Sequence, residues 1–180
     1  DGKTLIYTRR VKNFNEDFYV SEWKDGKWGL SESLSGNINS EQNEGAQTIS
    51  QDGQLLIFTG CNFPDGFGNC DLYFSIKTRQ GWSLPKNMGS LINTEFWESA
   101  PCLSPDKRDL YFASRVPGGL GGIDIYVTHR LQNGKWSEPE NLGPEINTPG
   151  DETCPFIHAD NQTLYFTSNG IQGYGGDDLF

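Results

Sequence analysis

Three equally spaced glutamates are the first residues in this chain that could do chemistry. Glu44, Glu98 and Glu152 lie 54 residues apart, and each stands at the head of a predicted innermost strand. Arranged around one axis, these carboxylates could bind a hard cation such as calcium, which prefers oxygen ligands. In the alternative, each glutamate closes a turn or bonds the backbone of a neighbouring unit. The structural role is favoured, so we expect no cofactor and keep a calcium site as the alternative.

Two of the four cysteines are placed to react with each other. Cys61 comes just after one predicted strand, and Cys70 comes just before the strand that would pair with it. A hairpin would bring the two residues opposite each other, and we predict a disulfide between them. Such a bond is typical of an oxidising compartment such as the periplasm. A zinc site is disfavoured because no second pair of residues has the spacing of metal ligands.

The remaining cysteines and the histidines do not form a catalytic set. Cys102 and Cys154 lie in the innermost strands of adjacent units, and we predict that both are free and buried. His129 and His158 lie in or beside strands, and no serine, histidine and aspartate set can be assembled around them. Almost every acid obeys the repeat, whereas paired catalytic carboxylates are expected to break it. We therefore predict that the chain is not an enzyme.

Aromatic residues that break the repeat are candidates for contact with a ligand or partner. Phe96 and Trp97 stand together beside a repeated glutamate, and Trp23 has no counterpart in the other units. Phe63 and Phe67 lie in the loop between the two paired cysteines. Aromatic side chains in loops are frequent at binding surfaces. An ordinary packing role is the alternative for each of them.

A repeat of 54 residues must position all of these groups. An acid-led turn, a short apolar strand, a second acid-led strand and a tryptophan recur in this order, with Trp28, Trp82 and Trp136 at equal spacing. We predict a single domain over 1–180 with repeats at approximately 1–43, 44–97, 98–151 and 152–180. The matched tryptophans are predicted to pack between neighbouring units, because an indole buries a large area.

Each unit is predicted to be a four-stranded antiparallel meander. In the third unit the expected strands are 99–104, 110–114, 123–130 and 136–142. Runs such as Leu110-Tyr111-Phe112 are apolar on both faces, so both faces of each sheet need a cover, which neighbouring units supply. An all-β fold, a β-propeller of four-stranded antiparallel blades, meets this requirement. About three and a half blades are present.

The first and last units are predicted to be incomplete blades. The first begins at its second strand and the last stops at its third, which predicts three, four, four and three strands. We expect either part of a larger ring or a chain that completes its ring with another copy. A free arc would expose sheet edges that are prone to pairing.

Other acids and glycines near the strands are expected to be structural. Four aspartates each open a predicted strand: Asp17, Asp71, Asp124 and Asp178. We predict that their carboxylates accept hydrogen bonds from nearby backbone amides. The glycine-rich loops at 118–122 and 170–176 superficially suggest phosphate cradles, but no helix follows them. We predict hairpin loops whose glycines supply positive φ.

Composition argues against two classes of partner. The 180 residues carry 24 acidic and 14 basic side chains, for a net charge of −10, and the basic residues are not clustered. Nucleic acid is therefore not expected as a partner. The apolar runs are far shorter than the roughly 20 residues of a membrane-spanning helix, so no membrane-spanning segment is expected. The start at Asp1, without signal-peptide zones, predicts a mature or excised segment.

Motifs of the third unit point to a known family. They are Ser104-Pro105-Asp106, Leu110 to Arg115, Gly118 to Val127, Gly134 to Gly143 and Ile146-Asn147-Thr148. These motifs resemble the WD40-like, TolB-type propeller repeat, and the resemblance extends over essentially the whole chain. The closest form is that of OmpA-associated cell-envelope proteins of Bacteroidota, some of which belong to the type IX secretion apparatus. One departure is Lys107, where the pattern has glycine.

The resemblance implies a non-catalytic binding or scaffolding module in the bacterial envelope. Its location would be periplasmic or outer-membrane-associated, and its partners would be other envelope proteins or peptidoglycan-associated components. Two alternatives stay open, because one fold hosts many functions. The first is a carbohydrate-binding or glycoside-processing propeller that uses Trp97, Trp23 and nearby acids. The second is the propeller of a peptidase whose catalytic domain lies elsewhere.

Overall fold

The computed structural model describes residues 2–11 and 15–180. Asp1 of the first acid-led turn and residues 12–14 of the loop that follows the first strand lie outside the described residues. The described ranges consist of strands, turns and loops, and none of their segments is a helix that could cross a membrane.

Sixteen strands in the described ranges form four sheets, and all of their pairings within the sheets are antiparallel. The first sheet contains β1 (Thr4–Arg10), β2 (Glu16–Lys24), β3 (Lys27–Trp28) and β4 (Glu32–Ser33). The second contains β5 (Asn43–Ile49), β6 (Leu55–Cys61), β7 (Cys70–Thr78), β8 (Gly81–Trp82) and β9 (Lys86–Asn87). The third contains β10 (Glu98–Leu103), β11 (Asp109–Ser114), β12 (Asp124–His129) and β13 (Glu140–Asn141). The fourth contains β14 (Glu152–Ile157), β15 (Leu164–Ser168) and β16 (Asp178–Leu179).

The outer strand of a sheet is interrupted, which explains the extra short strands. Both β3 and β4 pair with β2, and both β8 and β9 pair with β7. Each pair is therefore two segments of one outer strand. Counted this way, the sheets have three, four, four and three strands, as the sequence predicts. A bridge between Arg130 and Trp136 extends the outer strand of the third sheet in the same manner.

Consecutive sheets pack face to face and bury their apolar strands. The core between the first and second sheets contains Phe18, Leu34, Ile38, Leu56, Phe58, Tyr73 and Trp82. The core between the second and third sheets contains Ile57, Leu72, Ile92, Leu103, Leu110, Phe112 and Tyr126. Neighbours in β6 thus face opposite sheets, which is why its sequence is apolar without alternation. The four stacked sheets form a β-propeller with four blades.

The matched tryptophans do not all lie in such cores. Trp82 is 2% exposed and belongs to the core between the first and second sheets. Trp136 is half-buried and packs against the next core. The prediction was wrong for Trp28, which is 44% exposed. Its face of the first sheet has no other sheet against it in the part of the chain that the structure describes.

The acid-led turns share a left-handed residue at one position. Gly2, Gly53, Lys107 and Asn161 have φ of 67°, 67°, 62° and 56°. Glycine adopts this conformation without steric cost, and asparagine tolerates it. Lys107 adopts it despite its side chain, whose Nζ lies 2.6 Å from the Oδ2 of Asp52 in the second sheet. The departure from glycine therefore keeps the turn and adds an ion pair between two sheets.

Candidate partner-binding site

The two ends of the propeller differ in their connections. We call one end the glycine-loop end, because it holds the loops 62–69, 115–123 and 169–177 between the second and third strands of their sheets. The opposite end holds the acid-led turns, and we call it the Asp-turn end. Strands β5, β10 and β14 run from the glycine-loop end to the Asp-turn end. Any surface shared by several sheets must lie at one of these ends or along the common axis.

Aspartates hold the glycine loops in place. Asp71 is buried and accepts hydrogen bonds from the backbone N–H of Phe67, at 2.6 Å, and of Gly68, at 3.2 Å. Asp124 is also buried and accepts from Leu120 at 2.5 Å and from Gly121 at 3.0 Å. In the fourth sheet, the half-buried Asp178 accepts from the N–H of Gly175 at 2.8 Å. In the first sheet, Asp17 accepts from the Asn15 side chain at 3.0 Å. The acids that open the third strands are thus structural groups.

The loop glycines allow a close approach rather than a special backbone angle. A Cβ built on Gly66, Gly119 or Gly173 would lie 2.6, 1.8 or 2.0 Å from the carboxylate oxygen of the aspartate in its loop. In the predicted loops 118–122 and 170–176 only Gly118 has a positive φ, of 97°. The prediction that these glycines supply positive φ is therefore wrong for the others. Gly119, Gly122 and Gly173 are needed because a carboxylate occupies the space of a side chain, whereas a backbone carbonyl crowds Gly121.

Each of these loops presents one exposed apolar side chain between two glycines. These residues are Phe67, Leu120 and Tyr174, and we call them the loop-end row. Their backbone positions are fixed by the neighbouring carboxylates, while their side chains face solvent. The sequence signal is a Gly-apolar-Gly triplet that recurs at 66–68, 119–121 and 173–175. Of these three residues, only Phe67 is predicted from the sequence as a contact residue.

Phe96 lies beside the loop-end row and enlarges its apolar surface. The N–H of Asn69 donates to the carbonyl of Phe96 at 3.2 Å, which joins the second sheet's glycine loop to the segment entering the third sheet. A Cβ on Gly68 would lie 2.4 Å from the same carbonyl. The Phe96 side chain remains exposed. The structure therefore places Phe67 and Phe96 in adjoining segments, although they are 29 residues apart in sequence.

The other three aromatic residues predicted to contact a ligand do not lie on this surface: two are half-buried in packing contacts, and one lies at the opposite end of the propeller. Phe63 is half-buried, and its ring centre lies 4.5 Å from that of Tyr73. Trp97 is half-buried under the Arg115 guanidinium, which lies 5.3 Å from its ring centre. Trp23 lies toward the Asp-turn end, at the end of β2. Trp23 and Trp97 therefore lie at opposite ends and do not form one platform for a sugar.

The repeated glutamates are fully buried and serve as acceptors for their own turns. Glu98 accepts from the N–H of Thr94 at 2.8 Å and from its hydroxyl at 2.7 Å. Glu152 makes the same pair of bonds with Thr148, at 2.8 and 2.6 Å. Ser114 adds a third donor to Glu98 at 2.9 Å, and Ser168 adds one to Glu152 at 2.6 Å. The carboxylate oxygens of both glutamates therefore accept hydrogen bonds from donors of the same chain.

Glu44 has the same turn but lacks the third donor. It accepts from the N–H and hydroxyl of Ser40. The position of Ser114 is taken by Gly60, where a Cβ would lie 2.8 Å from the ring of Phe63. Burial raises the pKa of Glu44 to about 7 against the opposing hydrogen bonds from Ser40, and the Asp17 carboxylate raises it further. Burial also raises the pKa of Glu98.

The calcium alternative finds no support in the arrangement of acidic side chains. Within residues 2–11 and 15–180, no group of three or more His, Cys, Asp or Glu side chains could hold a metal ion. The glutamates that sequence spacing placed around one axis each bond a separate turn. Their role in the described structure is to fix the segments that join consecutive sheets.

The predicted disulfide is present, and the remaining cysteines differ from each other. Cys61 and Cys70 are joined by a 2.04 Å bond, with their Cα atoms 4.0 Å apart across β6 and β7. Cys102 is buried as predicted, and its Sγ accepts from the N–H of Ile157 at 3.4 Å. Cys154 is exposed, contrary to prediction. It lies at a bulge of β14 with φ of 51°, in a sheet that has a neighbour on one face only among the described residues.

Two cavities lie toward the Asp-turn end. A cavity of about 410 Å³ is lined by matched positions of three innermost strands, including Thr48, Cys102 and Phe156. A cleft of about 980 Å³ lies between the first two sheets and is lined by residues such as Leu34 and Trp82. The indole Nε1 of Trp82 is buried and has no hydrogen-bond partner among the residues that the structure describes. Neither cavity contains the aromatic residues that the sequence analysis selected.

Comparisons with known proteins identify the fold. No protein-family model and no curated protein matches the chain. A crystal structure of TolB from Acinetobacter baumannii matches 99% of this chain with a TM-score of 0.62 at 17% identity. A putative TolB from Agrobacterium tumefaciens matches 93% with a TM-score of 0.65 at 17% identity. A puromycin-hydrolyzing peptidase of Mycobacterium tuberculosis matches 98% with a TM-score of 0.51 at 12% identity.

The matches also define how much of those proteins the chain represents. It spans 38% and 51% of the two TolB chains and 30% of the peptidase chain. At these levels of identity the similarity concerns the fold and does not extend to activity. The four stacked antiparallel sheets and the TolB matches together show that the chain has the TolB-like β-propeller fold.

Proposed function

We propose that the chain is a non-catalytic binding and scaffolding propeller module of a bacterial cell-envelope protein. The observation that carries this proposal is the loop-end row, in which Phe67, Leu120 and Tyr174 are exposed at the same position of three sheets. Bound carboxylates hold the backbone of these loops, so little conformational entropy is lost when a partner packs on them. Exposed aromatic and apolar groups on a fixed scaffold suit a protein partner.

The disulfide and the fold support a location in the envelope. The bond between Cys61 and Cys70 closes the loop that carries Phe67 and suits an oxidising compartment such as the periplasm. TolB-like fold similarity agrees with a periplasmic or outer-membrane-associated site of action. Association with OmpA-type domains in Bacteroidota, including type IX secretion proteins, is part of the same proposal. The sequence that flanks these repeats in the gene tests that part directly.

The hydrogen bonding of the repeated acids supports binding rather than catalysis. Glu98 and Glu152 are occupied by threonine and serine donors, and Asp71 and Asp124 by loop amides. A general acid or base needs a carboxyl group that can reach a substrate. These carboxylates instead face the chain that they hold. The match to a peptidase favours a second candidate, a propeller attached to a catalytic domain, which the flanking sequence also tests.

Site-specific cross-linking tests the binding surface. A chain with a photoreactive residue at position 67, 120 or 174 is expected to cross-link to a discrete protein in the source bacterium's envelope. Alternatively, the unchanged chain is expected to bind purified peptidoglycan from that bacterium. The variant F67S/L120S/Y174S should reduce this binding at least about tenfold, because each truncated anchor of an interface costs roughly 1 kcal/mol or more. A photoreactive residue at exposed Leu84 should capture nothing comparable.

A matched variant separates the binding surface from general surface effects. L30S/L84S/L131S removes three exposed leucines from the outer strands and turns and should bind as the unchanged chain does. Both triple variants should keep their circular dichroism spectrum, because all six side chains are exposed. Failure to capture any envelope protein and to bind peptidoglycan would refute the proposal. Equal binding by both triple variants would remove the loop-end row from it.

A further inference from the structure

The connecting segments at the two ends of the propeller carry opposite net charge. At the glycine-loop end of the second to fourth sheets, these segments are 34–42, 62–69, 88–97, 115–123, 142–151 and 169–177. Together they contain six acids and one base. At the Asp-turn end of the same sheets, the segments are 50–54, 79–80, 104–108, 130–135 and 158–163. Together they contain three acids and five lysine and arginine residues. The loop-end row therefore lies at the negative end of these sheets.

The acids at the two ends also differ in their ion pairs. Each acid in the Asp-turn segments lies beside a basic side chain: Asp52 beside Lys107 at 2.6 Å, Asp106 beside Arg108 at 3.8 Å and Asp160 beside His158 at 3.1 Å. The six acids of the glycine-loop segments have no such partner among the described residues; they are Glu41, Asp65, Glu95, Glu145, Asp151 and Asp177. The one base in those segments, Arg115, lies over the Trp97 ring instead. The carboxylates at this end are therefore not neutralised by cations of the same chain.

An acid accompanies the exposed aromatic residues at two places on this end. Glu95 is exposed and directly precedes Phe96, whose segment adjoins the loop that carries Phe67. Asp177 is exposed and follows Tyr174 in the same loop. At each place, an apolar side chain and a carboxylate face solvent within a few residues of each other.

The loop that carries Leu120 has an acid from the segment entering the fourth sheet beside it. Gly122 follows Leu120 closely in this loop, and a Cβ on Gly122 would lie 2.5 Å from the Oδ1 of Asp151. The Asp151 side chain is half-buried. We call Glu95, Asp151 and Asp177 the loop-end acids. Each residue of the loop-end row therefore has one of these carboxylates nearby.

We propose that the loop-end row binds a polypeptide segment that combines lysine or arginine with apolar side chains. The proposed function, on which this proposal rests, allows a protein or peptidoglycan as the partner, and charge favours the protein. The partner's apolar side chains pack on Phe67, Leu120 and Tyr174, and its cations lie beside the loop-end acids. Complementary charge accelerates association and disfavours partners of the same sign. Peptidoglycan is disfavoured because its stem peptides carry free carboxylates.

Selection from a peptide library tests the proposed chemistry of the partner. A phage-displayed library of random peptides is selected on the immobilised 180-residue chain, after counter-selection on F67S/L120S/Y174S. The enriched peptides should combine lysine or arginine with leucine or aromatic residues. Binding of the synthetic peptides should weaken about tenfold from about 50 mM to about 500 mM NaCl, because salt screens exposed charges.

Neutral variants of the loop-end acids test their contribution. E95Q/D151N/D177N should weaken binding of the same peptides about fivefold, because each exposed ion pair contributes modestly to affinity. The variant should also lose most of the salt dependence, because the charges that salt screens are no longer present. Its circular dichroism spectrum should match that of the unchanged chain, because none of the three carboxylates forms an ion pair within the described residues.

A matched variant controls for the change in net charge. D25N/E32Q/E138Q removes the same number of carboxylates at exposed positions outside the glycine-loop end and should bind the peptides as the unchanged chain does. Equal weakening by both triple variants would overturn the proposal. Enriched peptides that are neutral or acidic would overturn it as well, as would a selection that yields no peptide dependent on the loop-end row.

This proposal and the proposed function fail in different ways. Cross-linking at the loop-end row to a protein segment that is not basic would overturn the partner class and leave the binding module in place. Binding of peptidoglycan that F67S/L120S/Y174S abolishes would have the same meaning. Absence of any captured protein and of any peptidoglycan binding would refute the proposed function itself.

Discussion

Trp82 and Trp28 occupy the same repeat position in neighbouring sheets but have different surroundings. Trp82 is 2% exposed, between the first and second sheets, whereas Trp28 is 44% exposed and contacts Trp23 at a ring-centre distance of 5.3 Å. The repeat determines which residue faces a neighbouring sheet. The presence of that sheet determines whether the residue contributes to stability. Identical positions therefore have unequal energetic weight.

The largest expected difference comes from truncating the two tryptophans. Trp82→Ala should lower the free energy of unfolding by about 4 kcal/mol, because it leaves a cavity in a core. Trp28→Ala should lower it by less than about 1 kcal/mol, because the side chain is half in solvent. Urea unfolding measures both. Trp82→Phe should cost far less than Trp82→Ala, because the indole N–H has no partner to lose. Equal losses for the two alanine variants would contradict this comparison.

The repeated glutamates allow a similar comparison of matched polar positions. The expected change in the free energy of unfolding is smaller than for the tryptophans. The pKa of Glu44 is raised to about 7, above its value in the unfolded chain, so the folded protein binds this proton more tightly. The resulting stabilisation is fully present below about pH 4.5 and is lost as the pH rises through about 7. Relative to Glu44→Gln, the unchanged chain should therefore lose up to about 3 kcal/mol between about pH 5 and pH 8.

Urea unfolding of both proteins across this pH range measures the effect. Glu145→Gln, at an exposed position, is the substitution control and should run parallel to the unchanged chain. A difference between the Glu44→Gln variant and the unchanged chain that stays constant with pH would show that Glu44 has no raised pKa.

Loss of the disulfide is expected to give the smallest of the three changes in the free energy of unfolding. The positions of Cys61 and Cys70 are occupied by Arg115 and Ile123 in the third sheet, where Asp124 and backbone hydrogen bonds hold the loop. Cys61→Ser/Cys70→Ser should lower the free energy of unfolding by about 2–3 kcal/mol, because the closed loop restricts the unfolded chain. Reduction with dithiothreitol should bring the unchanged chain to the same value. An effect of reductant on the double variant would point to another cause.

The sequence predicted the sheets well and the surface residues poorly. The disulfide and the three, four, four and three strands follow from spacing and strand pairing, which are local properties of the chain. The exposure of Trp28 could not be predicted, because its repeat position is buried only when another sheet lies against it. Cys154 lies at a bulge whose counterparts Ala46 and Ala100 are not buried either, and the bulge is visible only in the structure. Leu120 and Tyr174 were overlooked because the glycines around them suggested turn geometry. The carboxylates that occupy the space beside these glycines are visible only in three dimensions.

By itself the sequence determined a stack of antiparallel sheets, because its repeat and its two-sided apolar strands allow few other ways to exclude water. Only the tertiary structure decided what the repeated polar groups do. Asn93 accepts from the N–H of Leu72 at 2.7 Å and donates to its carbonyl at 2.9 Å, and Asn147 does the same for Ile125. Hydrogen bonds are short and directional, so their partners depend on ångström-scale positions that residue spacing does not encode.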